Sequence, residues 1–325
     1  MKSKIIGLQI LNALILGVTY AVSKFGLQQM GSMQLLSFRF LFAAGVVAVC
    51  ILTGRMTVDF SAGFHPLLLL YCAQPVLYYI LETSALQRLP SAYVSIVLSA
   101  VPISTSFFGW LLLRETIGTK QFFCLLLSTG GVVGINLYGM SASSGLSTAG
   151  LLFAAGALLL NGLGSILCKK MLGTYSATTL TAMDMGVKAV AFTAIGLTQA
   201  GIFGGGSFVS FFAPLGNPAC LGVAVFLGLF PSVIFNVIQL YCLKSESVSA
   251  ISVFMNLTPV FTLIVGSLFL RESVGAVELL CLGAVILGLS GYIMAPSLPP
   301  RAEKTAAKQA VNNSAERRNP SDGTA

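Results

Sequence analysis

Four ionisable side chains, each set inside a long apolar run, are the residues of this sequence most able to do chemistry. They are Arg39, Glu82, Asp184 and Lys188. A charge in hydrocarbon is costly, so such residues usually face a cavity or a partner of opposite charge. Asp184 and Lys188 are four residues apart, which puts them on one face of a helix, where they could neutralise each other. Arg39 could pair with Asp184 instead, and the sequence leaves both pairings open.

Glu82 and a set of neutral polar residues are further candidates for a substrate cavity or a coupling site. The Glu82 carboxylate could bind a proton or a substrate amine, or it could pair with Arg88 across a short turn. The neutral residues could line a cavity or form hydrogen bonds between helices. The neutral candidates are Gln74, Tyr78, Asn236, Gln239 and Tyr241, with Asn12, Asn161 and Asn256 open to the same two interpretations.

Four prolines fall inside the apolar runs: Pro75, Pro102, Pro231 and Pro259. Proline removes a hydrogen bond from a helix and bends it. The four are therefore hinge candidates for a conformational change, with static bends as the alternative.

These residues must be positioned by a membrane-embedded helical bundle. The chain has 325 residues, of which 56% are hydrophobic and 9% charged, and its mean hydropathy is +0.90. This composition excludes both an ordinary soluble domain and a disordered chain. Because a transmembrane helix needs about 20 apolar residues, we predict ten spans. They lie at 5–24, 32–53, 66–86, 91–113, 121–139, 148–168, 178–200, 219–241, 248–270 and 276–295.

Lysine and arginine residues in the loops predict the orientation of the chain. Thirteen fall on one side and three on the other, so we expect both termini to be cytoplasmic. Short loops favour a bacterial plasma (inner) membrane. The net charge of +8 is explained by this topology, and no nucleic-acid partner is needed. The partners that we expect are the lipid bilayer and a small-molecule substrate, with a proton as the hypothesised coupling ion.

Cysteine and histidine usage gives no support for a cofactor. Seven cysteines stand singly, no CxxC pair occurs, and His65 is the one histidine. The sequence also lacks the GxxxxGK[ST] pattern that binds ATP. We therefore expect no metal or other cofactor and no use of ATP by this chain.

The chain repeats itself. Residues 102–118 align with 259–275 at an offset of 157, and upstream an offset of 145 carries Gly17 onto Gly162 and Arg39 onto Asp184. Each aligned block ends in an Arg-Glu turn, and we interpret these two turns as caps and ion pairs that fix a hairpin.

We predict a first repeat at 1–140, a second at 148–295 and a disordered cytoplasmic tail at 296–325. Each repeat has five spans, and because five is odd the second enters the membrane from the opposite side, as in secondary transporters with alternating access. The offset of 157 also carries Gly131 onto Gly288. The fifth and tenth spans should thus approach their neighbours closely, within the bundle or across a dimer.

This pattern resembles the EamA-type transporters of the drug/metabolite transporter (DMT) superfamily. The motifs that carry the resemblance are Ser23-Lys24, Phe38-Arg39-Phe40, Ser91-Ala92, Pro102 and Arg114-Glu115-Thr116, then Cys168-Lys169, Ser249-Ala250, Pro259 and Arg271-Glu272-Ser273. The resemblance covers about residues 5–295 and implies an all-α fold of ten transmembrane helices in two inverted five-helix EamA repeats. The seventh span departs from the pattern, because Asp184 stands where the first repeat has Arg39.

The resemblance implies a secondary-active exporter of small metabolites, such as amino acids or drug-like compounds, and not an enzyme. A sugar-phosphate or nucleotide-sugar antiporter of the same superfamily is the alternative. Such an antiporter would need several cations near the membrane midplane. The two cations inside spans are Arg39 and Lys188, and each could be neutralised by Asp184. A membrane-embedded lipid enzyme would need a cluster of acids, histidines or metal ligands, and a channel would need a ring of like groups. The substrate, the coupling ion, the direction of transport and the oligomeric state (monomer or homodimer) stay open.

Overall fold

Ten apolar helical segments, each long enough to cross a membrane, make up the computed structural model, as predicted. The structure describes residues 3–59, 61, 63, 66–89, 91–138, 147–201, 207–270 and 275–295, which form helices and turns with no strand. His65, the Arg271-Glu272 turn and the predicted tail lie outside the described residues. The helices are α1 (Ser3–Leu27), α2 (Ser32–Leu52), α3 (Pro66–Leu86), α4 (Ser91–Leu98), α5 (Val101–Leu113), α6 (Thr119–Tyr138), α7 (Thr148–Met171), α8 (Ala177–Gln199), α9 (Phe208–Phe212), α10 (Pro218–Gly228), α11 (Phe235–Ser245), α12 (Val248–Val253), α13 (Thr258–Leu270) and α14 (Ala276–Met294).

Three of the ten spans consist of two helical pieces. The fourth span is α4 and α5, the eighth is α10 and α11 joined by a π-helical turn at Leu229–Ile234, and the ninth is α12 and α13 joined by a 3-10 turn at Phe254–Leu257. The short helix α9 precedes the eighth span. Both repeats are therefore broken in their fourth span, and the second repeat is also broken in its third span.

The internal duplication is visible in the packing of α6 against α14. A Cβ added to Gly131 of α6 would lie 2.7 Å from the Cys281 carbonyl oxygen, and a Cβ added to Gly288 of α14 would lie 2.7 Å from that of Cys124. Both pairs obey the offset of 157 residues. The close approach predicted for these glycines is confirmed, and it occurs within the chain, where any side chain would push the helices apart.

The offset of 145 is confirmed by a second pair of contacts. A Cβ on Gly17 of α1 would lie 3.1 Å from the carbonyl carbon of Phe261 in α13, and one on Gly162 of α7 would lie 3.0 Å from that of Ser104 in α5. The first span of each repeat thus packs on the fourth span of the other. The two repeats of five spans are therefore interlocked rather than placed side by side.

The four prolines differ in what they do to their helices. Pro102 and Pro259 are each the second residue of a half-helix, α5 and α13, where the missing N–H has no helical partner to lose. They follow the breaks and fit the start of the next helix. Pro231 lies in the π-helical turn, while Pro75 lies within α3, which continues through it. Whether any of the four is a hinge stays a prediction.

Candidate functional site

A ladder of three polar residues runs along the eighth span and contacts three other spans. Ser232, Asn236 and Gln239 are spaced i, i+4 and i+7, which places them on one helical face. At 1.5 Å per residue the polar ladder extends about 10 Å along the helix. It begins in the π-helical turn, where the Ser232 hydroxyl donates to the Leu227 carbonyl at 2.9 Å. This bond satisfies a carbonyl near Pro231, which has no N–H to donate.

Arg39 of α2 binds the first residue of the ladder. Its Nε donates to Ser232 Oγ at 2.9 Å, and Nη2 lies 3.5 Å from the Pro231 carbonyl oxygen. The guanidinium also lies over the Phe40 ring, 5.2 Å from its centroid. Among the described residues no carboxylate lies within ion-pair distance of Arg39. The pairing of Arg39 with Asp184, one of the two predicted alternatives, is not formed.

Asp184 and Lys188 of α8 meet the second residue of the ladder. Lys188 Nζ donates to Asp184 Oδ2 at 2.7 Å, and Asn236 Nδ2 donates to the same oxygen at 2.9 Å. The Asp184 and Lys188 side chains are 3% and 11% exposed, so the pair is almost fully removed from solvent. Asn236 is itself held by Thr181, whose hydroxyl donates to Asn236 Oδ1 at 3.2 Å. The self-pairing alternative is therefore confirmed.

Two amides of α1 meet the third residue of the ladder. Gln239 Oε1 accepts from Gln9 Nε2 at 3.3 Å and from Asn12 Nδ2 at 3.4 Å, and Asn12 Nδ2 also lies 3.5 Å from the Phe235 carbonyl oxygen. Gln9 and Asn12 are fully buried. Sequence reasoning missed Gln9. The signal was available, since two amides three residues apart share a face of an otherwise apolar span.

Glu82 lies in α3, close to an aromatic cluster that reaches Arg39. Tyr78 Oη donates to Glu82 Oε1 at 2.9 Å, and the Tyr78 ring contacts that of Tyr79 at a centroid distance of 5.2 Å. Tyr79 in turn packs edge-on to Phe40 at 5.8 Å, the ring on which Arg39 lies. The Glu82 side chain is only partly buried. The aromatic cluster of Phe40, Tyr78 and Tyr79 thus connects Glu82 to Arg39, which binds Ser232 at the first position of the ladder.

The pairing of Glu82 with Arg88, one of the two alternatives for this carboxylate, is not formed. Arg88 donates instead to the Ser84 carbonyl oxygen at 3.0 Å and lies over the Phe153 ring at 4.9 Å. Arg88 lies beyond the last turn of α3, and its side chain returns to its own helix and to α7. No described cation forms an ion pair with Glu82.

Two other candidates have no polar contact with the ladder in the described residues. Gln74 Nε2 donates to the Leu160 carbonyl oxygen at 2.8 Å, which joins α3 to α7. Tyr241 is 46% exposed, and Lys4 lies over its ring at 5.2 Å. Gln74 therefore makes the interhelical hydrogen bond that was the alternative to cavity lining.

Glu115 forms a bridge between the repeats at the end of the bundle where α1 begins. Its Oε1 accepts from the Val248 backbone N–H at 3.0 Å, and Oε2 accepts from the Ser249 hydroxyl at 3.3 Å. Lys169 Nζ lies 3.5 Å from Glu115 Oε1 and donates to the Glu246 carbonyl. The carboxylate thus caps α12 of the other repeat. The interpretation of this turn as a cap is correct, but the helix that it caps belongs to the second repeat and not to its own hairpin.

A bundle of ten apolar helices, duplicated and interlocked around a buried polar ladder, defines a multi-pass membrane protein of the transporter class. The family model described as the EamA-like transporter family matches residues 3–137 and 148–294. The chain therefore belongs to the EamA family of the DMT superfamily, as the resemblance implied.

Individual relatives agree with this assignment. The chain is 26% identical over 287 residues to "Uncharacterized transporter YcxC" of Bacillus subtilis (strain 168), a match that covers 87% of this chain and 90% of that protein. A protein of known crystal structure has the same fold, with a TM-score of 0.72 at 14% identity over 90% of this chain and 96% of that one.

Proposed function

We propose that this transporter is a secondary-active carrier that exports small metabolites bearing one carboxylate, amino acids foremost, with drug-like carboxylates as a further class. The observation that carries the proposal is a difference between Lys188 and Arg39, the two cations inside the spans: in the described part of the chain, one is paired with a carboxylate and the other is not. Lys188 is neutralised by Asp184 at 2.7 Å, whereas Arg39 is bound by neutral acceptors alone among the described residues. Arg39 is therefore the cation with charge left for a substrate.

The surroundings of Arg39 favour a carboxylate as the group that it binds. Ser232 and Phe40 fix the guanidinium through Nε and the ring face, which leaves most of its five N–H donors for a ligand. Guanidinium groups bind carboxylates through two parallel hydrogen bonds.

The alternatives receive less support from the same contacts. A sugar phosphate or nucleotide sugar carries more than one negative charge and needs several cations to bind it. Among the described residues, Arg39 is the one cation that contacts the ladder without a paired carboxylate. A lipid enzyme would need clustered acids, histidines or metal ligands, and the described residues contain no group of three that could hold a metal.

Transport by alternating access is the proposed mechanism, because the repeats are inverted copies that can exchange conformations. The Glu115 bridge joins the two repeats at one end of the bundle, which the loop charges predict to be cytoplasmic. Protons are the proposed coupling ion, with Glu82 or Asp184 as the exchange site. Residence in a bacterial plasma membrane with both termini cytoplasmic belongs to the same proposal, and monomer and homodimer are both compatible with it.

The experiment is uptake by the purified chain in liposomes. The labelled panel contains amino acids, their carboxamide analogues, a nucleotide sugar and a lipophilic cation, each with and without a pH gradient. We expect saturable uptake of amino acids with preference over their carboxamides. Arg39→Gln should remove that preference and weaken apparent affinity about tenfold to a hundredfold, the equivalent of a charge-assisted hydrogen bond of about 1.5–3 kcal/mol.

The matched control is Arg88→Gln, which removes an arginine that also binds a backbone carbonyl and an aromatic ring but does not touch the ladder. It should leave the preference for carboxylates unchanged. Uptake of the nucleotide sugar alone, or an unchanged preference in Arg39→Gln, would refute the proposal.

A further inference from the structure

Three buried oxygen atoms without hydrogen-bond partners belong to side chains that contact the polar ladder. Seven buried side-chain polar atoms of the described residues lack a partner, and four of these are hydroxyls, which can rotate to donate or accept. The remaining three are Gln9 Oε1, Asn12 Oδ1 and Asp184 Oδ1. These oxygens can only accept, so a donor must come from outside the side chains themselves.

The three oxygens belong to side chains that bind neighbouring residues of the ladder. Gln9 and Asn12 bind Gln239, and Asp184 binds Asn236. Asn236 and Gln239 are three residues apart, a rise of about 4.5 Å. The two α11 residues that these side chains bind are therefore less than one helical turn apart, and α11 joins the side chains of α1 to that of α8.

Reorienting the amides does not supply the missing donors. Asn12 Nδ2 faces two carbonyl oxygens, those of Gln239 and Phe235, and turning the amide would place oxygen against oxygen. Turning Gln239 with both α1 amides would still leave Asn12 Oδ1 facing the Phe235 carbonyl. Two buried NH₂ groups would then be without acceptors, which is equally unfavourable.

The charge balance limits what could supply the donors. Asp184 and Lys188 cancel, and Gln9, Asn12 and Gln239 are neutral, so this part of the ladder has no net charge. A divalent ion usually needs several carboxylates, while neutral carbonyl oxygens are typical ligands of monovalent cations. An anion would face acceptors and be repelled.

We infer that Gln9, Asn12 and Asp184 form a binding site for a compact monovalent cation. The cation is either the ammonium group of the transported substrate or a sodium ion, which share a preference for oxygen ligands. The ammonium source rests on the proposed function and suits a substrate whose amine, such as a side-chain amine, lies about 6–10 Å along the ladder from the carboxylate on Arg39. The sodium source would make this a coupling-ion site.

The test measures cation binding without transport. The thermal unfolding midpoint of the purified full chain in detergent is followed against sodium chloride or methylammonium chloride, with choline chloride holding ionic strength constant. Choline is too bulky for the site and serves as the reference salt. We expect a saturable rise of the midpoint with at least one of the two small cations.

Variants at the amides identify the site. Asn12→Leu should weaken the apparent cation affinity at least tenfold, and Asn12→Asp should strengthen it. Asn136→Leu is the matched control, since Asn136 donates to the Val132 carbonyl of its own helix at 3.0 Å and does not touch the ladder. Gln9→Met keeps an unbranched side chain of similar length and provides a second variant if Asn12→Leu does not fold.

The outcomes separate the two sources and the two proposals. A response to sodium alone, with uptake that increases with a sodium gradient, assigns the site to sodium. A response to methylammonium, with loss of uptake for an N-acetylated substrate, assigns it to the substrate amine. The inference is overturned if neither cation exceeds choline, or if Asn12→Leu and Gln9→Met respond like the unmodified chain. Because Arg39→Gln should keep the cation response, failure of the carboxylate proposal would be distinguishable.

Discussion

Removing one partner of the Asp184–Lys188 pair should destabilise the protein strongly, while removing both should not. The two charges are 2.7 Å apart with side chains 3% and 11% exposed. At an effective dielectric constant of about 20, their attraction is about 6 kcal/mol before desolvation. Because Asp184→Asn leaves a buried ammonium without its counter-charge, we expect it to lower the free energy of unfolding by about 3–5 kcal/mol.

The variant that removes both charges completes a double-mutant cycle and is its most informative member. Lys188→Met alone leaves the Asp184 carboxylate with one donor, Asn236, and should cost a similar amount. Asp184→Asn combined with Lys188→Met removes both charges and should return to within about 1–2 kcal/mol of the unmodified chain. The coupling energy between the two sites should therefore exceed about 3 kcal/mol, well above the range of exposed pairs.

The assay is denaturant unfolding of the four proteins in mixed micelles, alongside uptake in liposomes. A coupling energy below about 1 kcal/mol would refute the reasoning, because it would mean that water reaches the pair and screens it. Transport separates the two interpretations of the pair. If the double variant is folded and transports normally, the pair only holds α8 in place. If it is folded and inactive, the pair acts on the substrate or the coupling ion.

Three further substitutions test other parts of the structure. Gly288→Leu should destabilise the α6–α14 contact by about 1–3 kcal/mol or more, measured by unfolding, whereas Gly130→Leu should be tolerated because a Cβ there meets nothing within 4 Å. Glu115→Gln should weaken the bridge between repeats and increase thiol labelling from the predicted cytoplasmic side, and unchanged labelling would show that the bridge does not hold that end closed. Glu82→Gln should abolish uptake driven by a pH gradient without loss of folded protein, and retained uptake would exclude Glu82 as the coupling site.

Hydrophobicity and duplication made the architecture predictable from the sequence. Each span is long enough to be recognised alone, and the offset of 157 points to Gly131 and Gly288, which the structure places in close contacts across the repeats. The Asp184–Lys188 pair was predictable for the same reason, since its spacing is local. In each case the information lies within one helix or in the comparison of two copies.

The partners of the ladder were not predictable in the same way. Periodicity shows which residues share a face of one helix, but it does not show which helices adjoin. Gln9 meets Gln239 across 230 residues, and Glu115 meets Ser249 across 134. Both contacts depend on the order in which ten helices pack, and apolar faces of similar composition specify that order only weakly.

The two repeats share a fold but carry different chemistry at equivalent places. The offset of 157 relates Glu82 to Gln239, and the offset of 145 relates Gln9 to the fully buried Ala154. One half of the bundle therefore presents a titratable carboxylate, while the equivalent position in the other half presents the neutral amide of Gln239. Two inverted repeats with identical side chains would have inward- and outward-open states of equal energy. The proposed proton on Glu82 would act on one half alone and would therefore shift the balance between the two states, which is the condition for coupling proton movement to the movement of substrate.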